Sequence, residues 1–410
     1  MNVLILNFAV SGFAGDVKQP LLIAKGLIEL GHNVVYTVPD GDGWFFDKSK
    51  SKSYAPIRKK LLEAKGEYVK IEGIPILPIH CTSEKLGYYC PDATKIAKKI
   101  LPDFDVVYCL HWYYHLGMTF FKIAHELKVP FIIAAMAAFE KPAHGLKNSR
   151  KKVLDLLYTK KLFKNAGGFH SVGNLETETY TKLGADSKKI YRIDHGILSE
   201  NFQIKKRTGI LEKNGIEISK HSYLYNIGRI DPKKGLEILL ESFAKISKNH
   251  KNLFLVISGT GIKKYVDEIK ELAQKLKIND LVKFTGFISD DEKLELYESA
   301  KLHVVTSHSD VHTTTAIESL AMGIPVVITK ASDFPEIDEY KAGITVDLDS
   351  NSVYNAVEEL LGDEEKLKEY SKNAKKLIDE KFLLKNKIKE YEKMFKETIK
   401  KYKKLNSFSV

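Results

Sequence analysis

Short apolar runs alternate with helix-patterned segments from one end of this chain to the other, and that alternation leaves few folds open. Val3–Phe8, Asn33–Val38, Val106–Leu110, Phe131–Ala135 and Gly168–Val172 are runs of aliphatic and aromatic residues with almost no polar interruption. A strand that is apolar on both faces belongs in a parallel sheet covered by helices on each side. The segment Pro20–Leu30 between the first two runs has helical character. A second series follows: Tyr223–Ile227, Leu253–Ile257, Val282–Phe284, Leu302–Thr306, Val326–Ile328 and Gly343–Val346. Between the two series lies a polar stretch, Gln203 to Lys220, which reads as an interdomain link. With 410 residues the chain is too long for one ordinary core. The expectation is therefore α/β, with two Rossmann-like, doubly wound parallel-sheet domains at residues 1–200 and 201–384. A last helix over about 385–405 carries Ile388, Tyr391, Phe395, Ile399 and Tyr402 at the spacing that packs one face.

Composition narrows the class. A hydrophobic content of 44% excludes a disordered chain. No apolar run approaches the roughly 18 residues needed to cross a bilayer. The apolar start lacks a basic leader, so it reads as a first strand rather than a signal peptide. Cys81, Cys90 and Cys109 contain no C-x-x-C, which suggests reduced thiols and a cytoplasmic protein. His111 and His115 sit one turn apart but lack a third ligand, so no metal site is expected. Most of the net charge of +11 falls in the first half of the chain. A basic half suits an anionic membrane surface or a lipid-phosphate acceptor, reached from the inner membrane face. No nucleic-acid partner is expected.

The most informative stretch runs from Val304 to Val327 as strand, polar loop, short helix and strand. Asp310 and Glu318 bracket the loop-to-helix join, and Thr313, Thr314 and Thr315 fill it. A helix start offers free amides and about half a positive charge, which suits a phosphate. Glu318, one turn in, is placed to accept hydrogen bonds from sugar hydroxyls. The competing reading is a capping box, with Thr315 and Glu318 only satisfying orphan amides. Upstream, the strand Tyr223–Ile227 ends at Gly228, and a helix begins near Gly235. Arg229 and Lys234 flank that connection, where open α/β sheets bind ligands. Together the two segments make a phosphate clamp. The dinucleotide fingerprint G-x-G-x-x-G is absent: Gly12 to Gly15 gives only G-x-x-G, and Gly259-Thr260-Gly261 only an opening half.

These segments, GRIDPKKG from Gly228, SGTG from Ser258, VKFTGFISDDEKLELYESA from Val282 and SDVHTTTAIESLAMGIPVV from Ser309, resemble the signature of retaining glycosyltransferase family 4. The resemblance implies the GT-B fold, with two domains facing a central cleft and the final helix returning to the first domain. It implies a metal-independent retaining hexosyltransferase with no cofactor beyond a UDP-, GDP- or ADP-sugar donor. By the same resemblance, Arg229 and Lys234 hold the donor diphosphate, Glu318 the ribose and Asp310 the donor sugar, with Phe287 and Ile288 beside the base. Gly228 and Gly259 complete the donor side. The family's usual first glutamate is Asp310 here, and Met136 stands where the family offers a histidine after Pro130–Ala135. Those two departures motivate the alternative of a catalytically silent nucleotide-sugar-binding protein. Asp40-Gly41-Asp42 looks like the metal motif of the other glycosyltransferase fold but reads as a turn.

In the first half, the loop Gly12 to Gly15 is a candidate for close backbone approach to the donor phosphate. His111 and Trp112, after a buried strand, are candidates for stacking on an acceptor sugar. Glu140 and His144 are the side chains nearest in sequence to the missing histidine.

Overall fold

The computed structural model describes residues 1–10, 15–41, 51–82, 89–111, 114–136, 160–204, 206–310 and 313–407. They fold into two compact units, the first from the start of the chain to Gly196 plus the segment from Leu384, the second from Ile197 to Leu383.

The first unit is built on β1 (Asn2–Leu6), β2 (Asn33–Pro39), β3 (Val69–Ile71), β4 (Ile74–Ile79), β5 (Val106–Leu110), β6 (Phe131–Ala134), β7 (Gly168–Ser171) and β8 (Ile190–Arg192). They form an eight-stranded sheet in the order 3-4-2-1-5-6-7-8. All neighbours are parallel except β3 and β4. That antiparallel pair departs from the all-parallel expectation. Ile71 pairs Ile74 across Glu72 and Gly73, and both turn residues have positive φ. Such a two-residue turn matches the twist of a hairpin. One face of the sheet is covered by Leu116, Phe120 and Phe163 among others, which is why β1 and β5 carry so little polarity.

The helix Leu384–Ser407 packs on this unit. Tyr391 meets His170 with ring centroids 5.1 Å apart, and Phe395 meets Tyr108 at 5.7 Å. Gly26, inside the helix Gly15–Glu29, makes room for it: a Cβ there would lie 2.4 Å from Ile388. Gln19 of the same helix donates to the Gly196 carbonyl at 2.9 Å and accepts from its amide at 3.2 Å.

The cysteine expectation is corrected. Cys81 and Cys90 form a disulfide, their Cα atoms 4.2 Å apart, and Cys109 is the free, buried thiol. Cys81 follows the end of β4 and Cys90 precedes the helix Ala93–Ile100, so the fold brings together two residues whose spacing showed no motif. Cysteine usage therefore gives no argument for a reducing compartment. Among the described residues, no helix is long and apolar enough to cross a membrane.

The second unit holds β9 (Ser222–Ile227), β10 (Leu253–Ser258), β11 (Val282–Gly286), β12 (Leu302–Val305), β13 (Val326–Thr329) and β14 (Gly343–Val346). All neighbours are parallel, in the order 11-10-9-12-13-14. The stretch expected as a loose link is part of this unit. Ile210, Leu211 and Ile216 are buried with Tyr223, Tyr225, Leu296 and Tyr297. Glu295 accepts from the Thr208 amide and hydroxyl at 2.5 and 2.8 Å.

Candidate functional site

Strand order in the second sheet reverses between β9 and β12, so the chain leaves their carboxyl ends in opposite directions and opens a crevice there. The loops bordering it are locked backbone to backbone. Gly228 donates to Ser258 at 3.0 Å, Gly259 to Gly286 at 2.8 Å and Ile230 to Thr260 at 2.9 Å. A Cβ on Gly259, where φ is +133°, would sit 1.8 Å from the Gly228 oxygen. One on Gly235, where φ is +59°, would sit 2.2 Å from the Thr306 oxygen. Only residues without a side chain allow this approach. Between them the Asp231 carboxylate accepts from the Lys233 amide at 3.0 Å and starts the short turn Pro232–Lys234. The helix Leu236–Asn249 then runs back along the sheet.

The connection from β9 to this helix carries both expected cations. The Lys234 ammonium is ion-paired with the Asp310 carboxylate, and both side chains are largely shielded. Ser307 donates to the same Asp310 oxygen at 3.4 Å. Arg229 is 61% exposed, with Nε 3.6 Å from an Asp231 oxygen, so it is free to move onto a ligand. Lys234 also passes Gly228, its Cε 3.8 Å from where a Cβ would stand. The structure thus brings Lys234 and Asp310 together.

Thr313 is the N-cap of the helix Thr314–Ala321, and its side chain makes no capping hydrogen bond. The capping box read into Thr315 and Glu318 is not formed. One occurs at Ser289 and Glu292 instead, at the start of the helix Asp290–Glu298. Glu318 turns to that neighbouring helix, where Lys293 Nζ donates to Oε1 at 2.8 Å. Tyr297 donates to the Thr315 carbonyl at 2.9 Å, with Glu318 Oε2 3.5 Å away. Lys293 is well shielded. Burial opposes its charge, but the Glu318 and Asp290 carboxylates prevail and raise its pKa. Alongside, Phe287 is 47% exposed while Ile288 is buried.

Behind the threonines, His303 of β12 is fully buried. Its Nδ1 lies 3.0 Å from the Tyr225 carbonyl and its Nε2 3.3 Å from Thr315 Oγ1, which lies 3.0 Å from Thr313 Oγ1. Sequence reasoning did not single out Lys293, Tyr297 or His303. The one available signal was a histidine inside the otherwise apolar strand LHVV.

In the first unit, Gly15 opens the helix Gly15–Glu29. Gly12, Asp42, Trp112, Glu140 and His144 lie outside the described residues. His111 is buried, with its ring edge-on to Phe8 at 4.8 Å. That packing places it in the interior of the unit rather than on a stacking surface. Its φ is +54° and that of Met136 is +50°, at the ends of the neighbouring strands β5 and β6. His115 stacks on Tyr89 at 4.6 Å and accepts from the Cys90 amide at 3.3 Å. No cluster able to hold a metal occurs among the described residues.

Residues 210–377 match the family described as glycosyl transferases group 1. An uncharacterized glycosyltransferase of Methanocaldococcus jannaschii is 25% identical, over 82% of this chain and 86% of that one. The alpha-monoglucosyldiacylglycerol synthase of Streptococcus pneumoniae is 27% identical, over 62% of this chain and 58% of that one. Among solved structures, Anabaena HepE in complex with UDP superposes with a TM-score of 0.74 at 17% identity, covering 97% of this chain and 100% of that one. The same protein is also known in complex with UDP-glucose.

Proposed function

We propose that this protein, whose residues 210–377 match the family described as glycosyl transferases group 1 and whose fold resembles that of HepE, transfers a hexose from a nucleoside diphosphate to an acceptor with retention of configuration. The observation that carries the reading is the Lys234–Asp310 pair at the β9/β12 switch point, just ahead of a helix whose first amides have no side-chain cap. UDP is the first nucleotide to test, because the HepE complexes contain UDP and UDP-glucose.

In the proposed reaction the anomeric C–O bond breaks and its electron pair leaves with the diphosphate. The sugar becomes oxocarbenium-like, the acceptor oxygen bonds to the anomeric carbon on the same face, and its proton passes to the departing phosphate. Stabilising the charge on the leaving group is the largest catalytic demand. Arg229, Lys234 and the amide of Thr314 meet that demand, so the reaction needs neither a divalent cation nor a cofactor. Asp310 holds Lys234 extended before the donor arrives and then faces the sugar. Glu318, fixed by Lys293, receives the ribose hydroxyls, and Phe287 and Ile288 border the base.

We infer an anionic surface, a membrane leaflet or lipid phosphate, on the acceptor side. Lys385, Lys389, Lys393, Lys396, Lys400, Lys403 and Lys404 are all exposed on the helix Leu384–Ser407. At 3.6 residues per turn they fall within a sector of about 100°, and no acidic residue lies in it. Lys396 is offset by Glu392 at 2.7 Å; like charges one turn apart destabilise a helix, so the rest of the ridge gains from an anionic partner. Compact lysine charges without arginine or exposed aromatics suit a diffuse lipid surface better than nucleic acid.

The test incubates the protein with UDP-, GDP- and ADP-hexoses and follows nucleoside diphosphate release, with and without EDTA. One donor should turn over, at an unchanged rate in EDTA. Tight binding with no release, even to water over hours, would make it a binding protein instead.

A further inference from the structure

We propose that Thr313 is a specificity residue for the donor's sugar, oriented by His303 and Thr315 so that it offers a hydrogen-bond acceptor, and no donor, to a sugar hydroxyl. This rests on the donor site proposed above.

The direction of every hydrogen bond in the chain follows from its buried end. A carbonyl can only accept, so His303 Nδ1, 3.0 Å from the Tyr225 oxygen, carries the proton. Burial, opposed by the Tyr225 carbonyl and aided by Lys234, lowers the imidazole pKa to about 4. At neutral pH the ring is therefore neutral and Nε2 is bare. Thr315, at 3.3 Å, must donate to it. The Thr315 oxygen then accepts from the Thr313 hydroxyl at 3.0 Å. Thr313's only proton is spent inward, and what remains for a ligand is lone pairs.

Thr313 sits between Asp310 and the first turn of its helix, and its hydroxyl does not cap that helix. Asp310, as a carboxylate, is also acceptor-only. Two acceptors in succession fit a neutral hexose with free hydroxyls and reject a carboxylate or a deoxy position. His303 is fully buried and Thr313 only 6% exposed, so a mismatch in polarity here is costly. A buried histidine and two threonines make an expensive network where apolar side chains would pack without one. The network therefore has a task beyond packing.

The test separates packing from polarity. Replacing both partners of a buried hydrogen bond by apolar groups restores most of the stability that either single change removes. His303→Phe and Thr315→Val should each lower the unfolding midpoint, and the double variant should recover most of the loss. Calorimetric titration then compares UDP with UDP-glucose. In the double variant and in Thr313→Val, UDP affinity should stay within about twofold of native, while UDP-glucose affinity should fall about five- to tenfold, as expected for one lost hydrogen bond. Thr313→Ser should keep native values. A stable double variant and Thr313→Val that both bind UDP-glucose like the native protein would reduce the network to packing and overturn the proposal. Equal loss of both ligands would assign Thr313 to the phosphate and overturn it too. UDP binding without UDP-glucose binding by the native protein would remove the sugar contact while leaving the nucleotide site. Failure to bind either would strike the donor site itself.

Discussion

Glu318 shows how much a single side chain's setting matters. A lone carboxylate at the second turn of a helix would be free to swing, whereas here one oxygen is held by Lys293 at 2.8 Å and the pair is mostly shielded. The other oxygen, near Tyr297, is left to accept from a vicinal diol. Lys293→Met should therefore weaken UDP binding about tenfold and 2′-deoxy-UDP binding much less, as measured by calorimetric titration; equal losses would assign Lys293 to the base instead. Lys234 and Asp310 stood out in the sequence because each follows an apolar strand of one sheet, and the structure pairs them; Arg229 and Glu318 were singled out beside them. Lys293 was not, since in sequence it is one lysine in a charged helix. His303 was hidden by the strand around it, and its partners Tyr225 and Thr315 lie 78 and 12 residues away along the chain.

At the scale of elements, the site depends on loops that touch through their backbones. The approach of Gly259 to the Gly228 oxygen fixes the connection that carries Arg229 and Lys234. Gly259→Ala places a methyl group where a carbonyl stands, in a conformation that alanine avoids. It should cost more than about 2 kcal/mol, read as a lower urea midpoint with an unchanged slope, and should weaken UDP binding even where the fold survives. Gly31→Ala, with nothing within 4 Å, is the matched control for a positive φ in open space. The parallel strands were legible because burial on both faces writes an unbroken apolar run. The β3–β4 hairpin was not, because its two turn residues, Glu72 and Gly73, carry none of the usual hairpin dipeptides. Residues 203–220 looked like a linker because three buried aliphatics are spread among many polar neighbours.

At the scale of the whole molecule, burial lowers the pKa of His170 in the first unit and of His303 in the second to about 4. An unfolded histidine titrates near 6.5, so between about 6.5 and about 4 the unfolded chain binds protons that the folded one refuses. Stability should be constant from this source above about pH 6.5. It should fall as pH drops toward 4, by up to about 1.4 kcal/mol per pH unit for each histidine, and level off below. Urea unfolding at pH 7.5, 6 and 5 checks this, and His303→Phe/Thr315→Val should flatten the second unit's share. The central claim is that a nucleoside diphosphate binds where β9 and β12 part, held by the cations of the connection that follows β9. It is tested most directly by titrating UDP, GDP and ADP into the native protein and into Arg229→Ala/Lys234→Ala. One nucleotide should bind the native protein, and the double variant should lose at least a hundredfold in affinity while unfolding within a few degrees of native. Equal affinity in the two proteins would contradict the account.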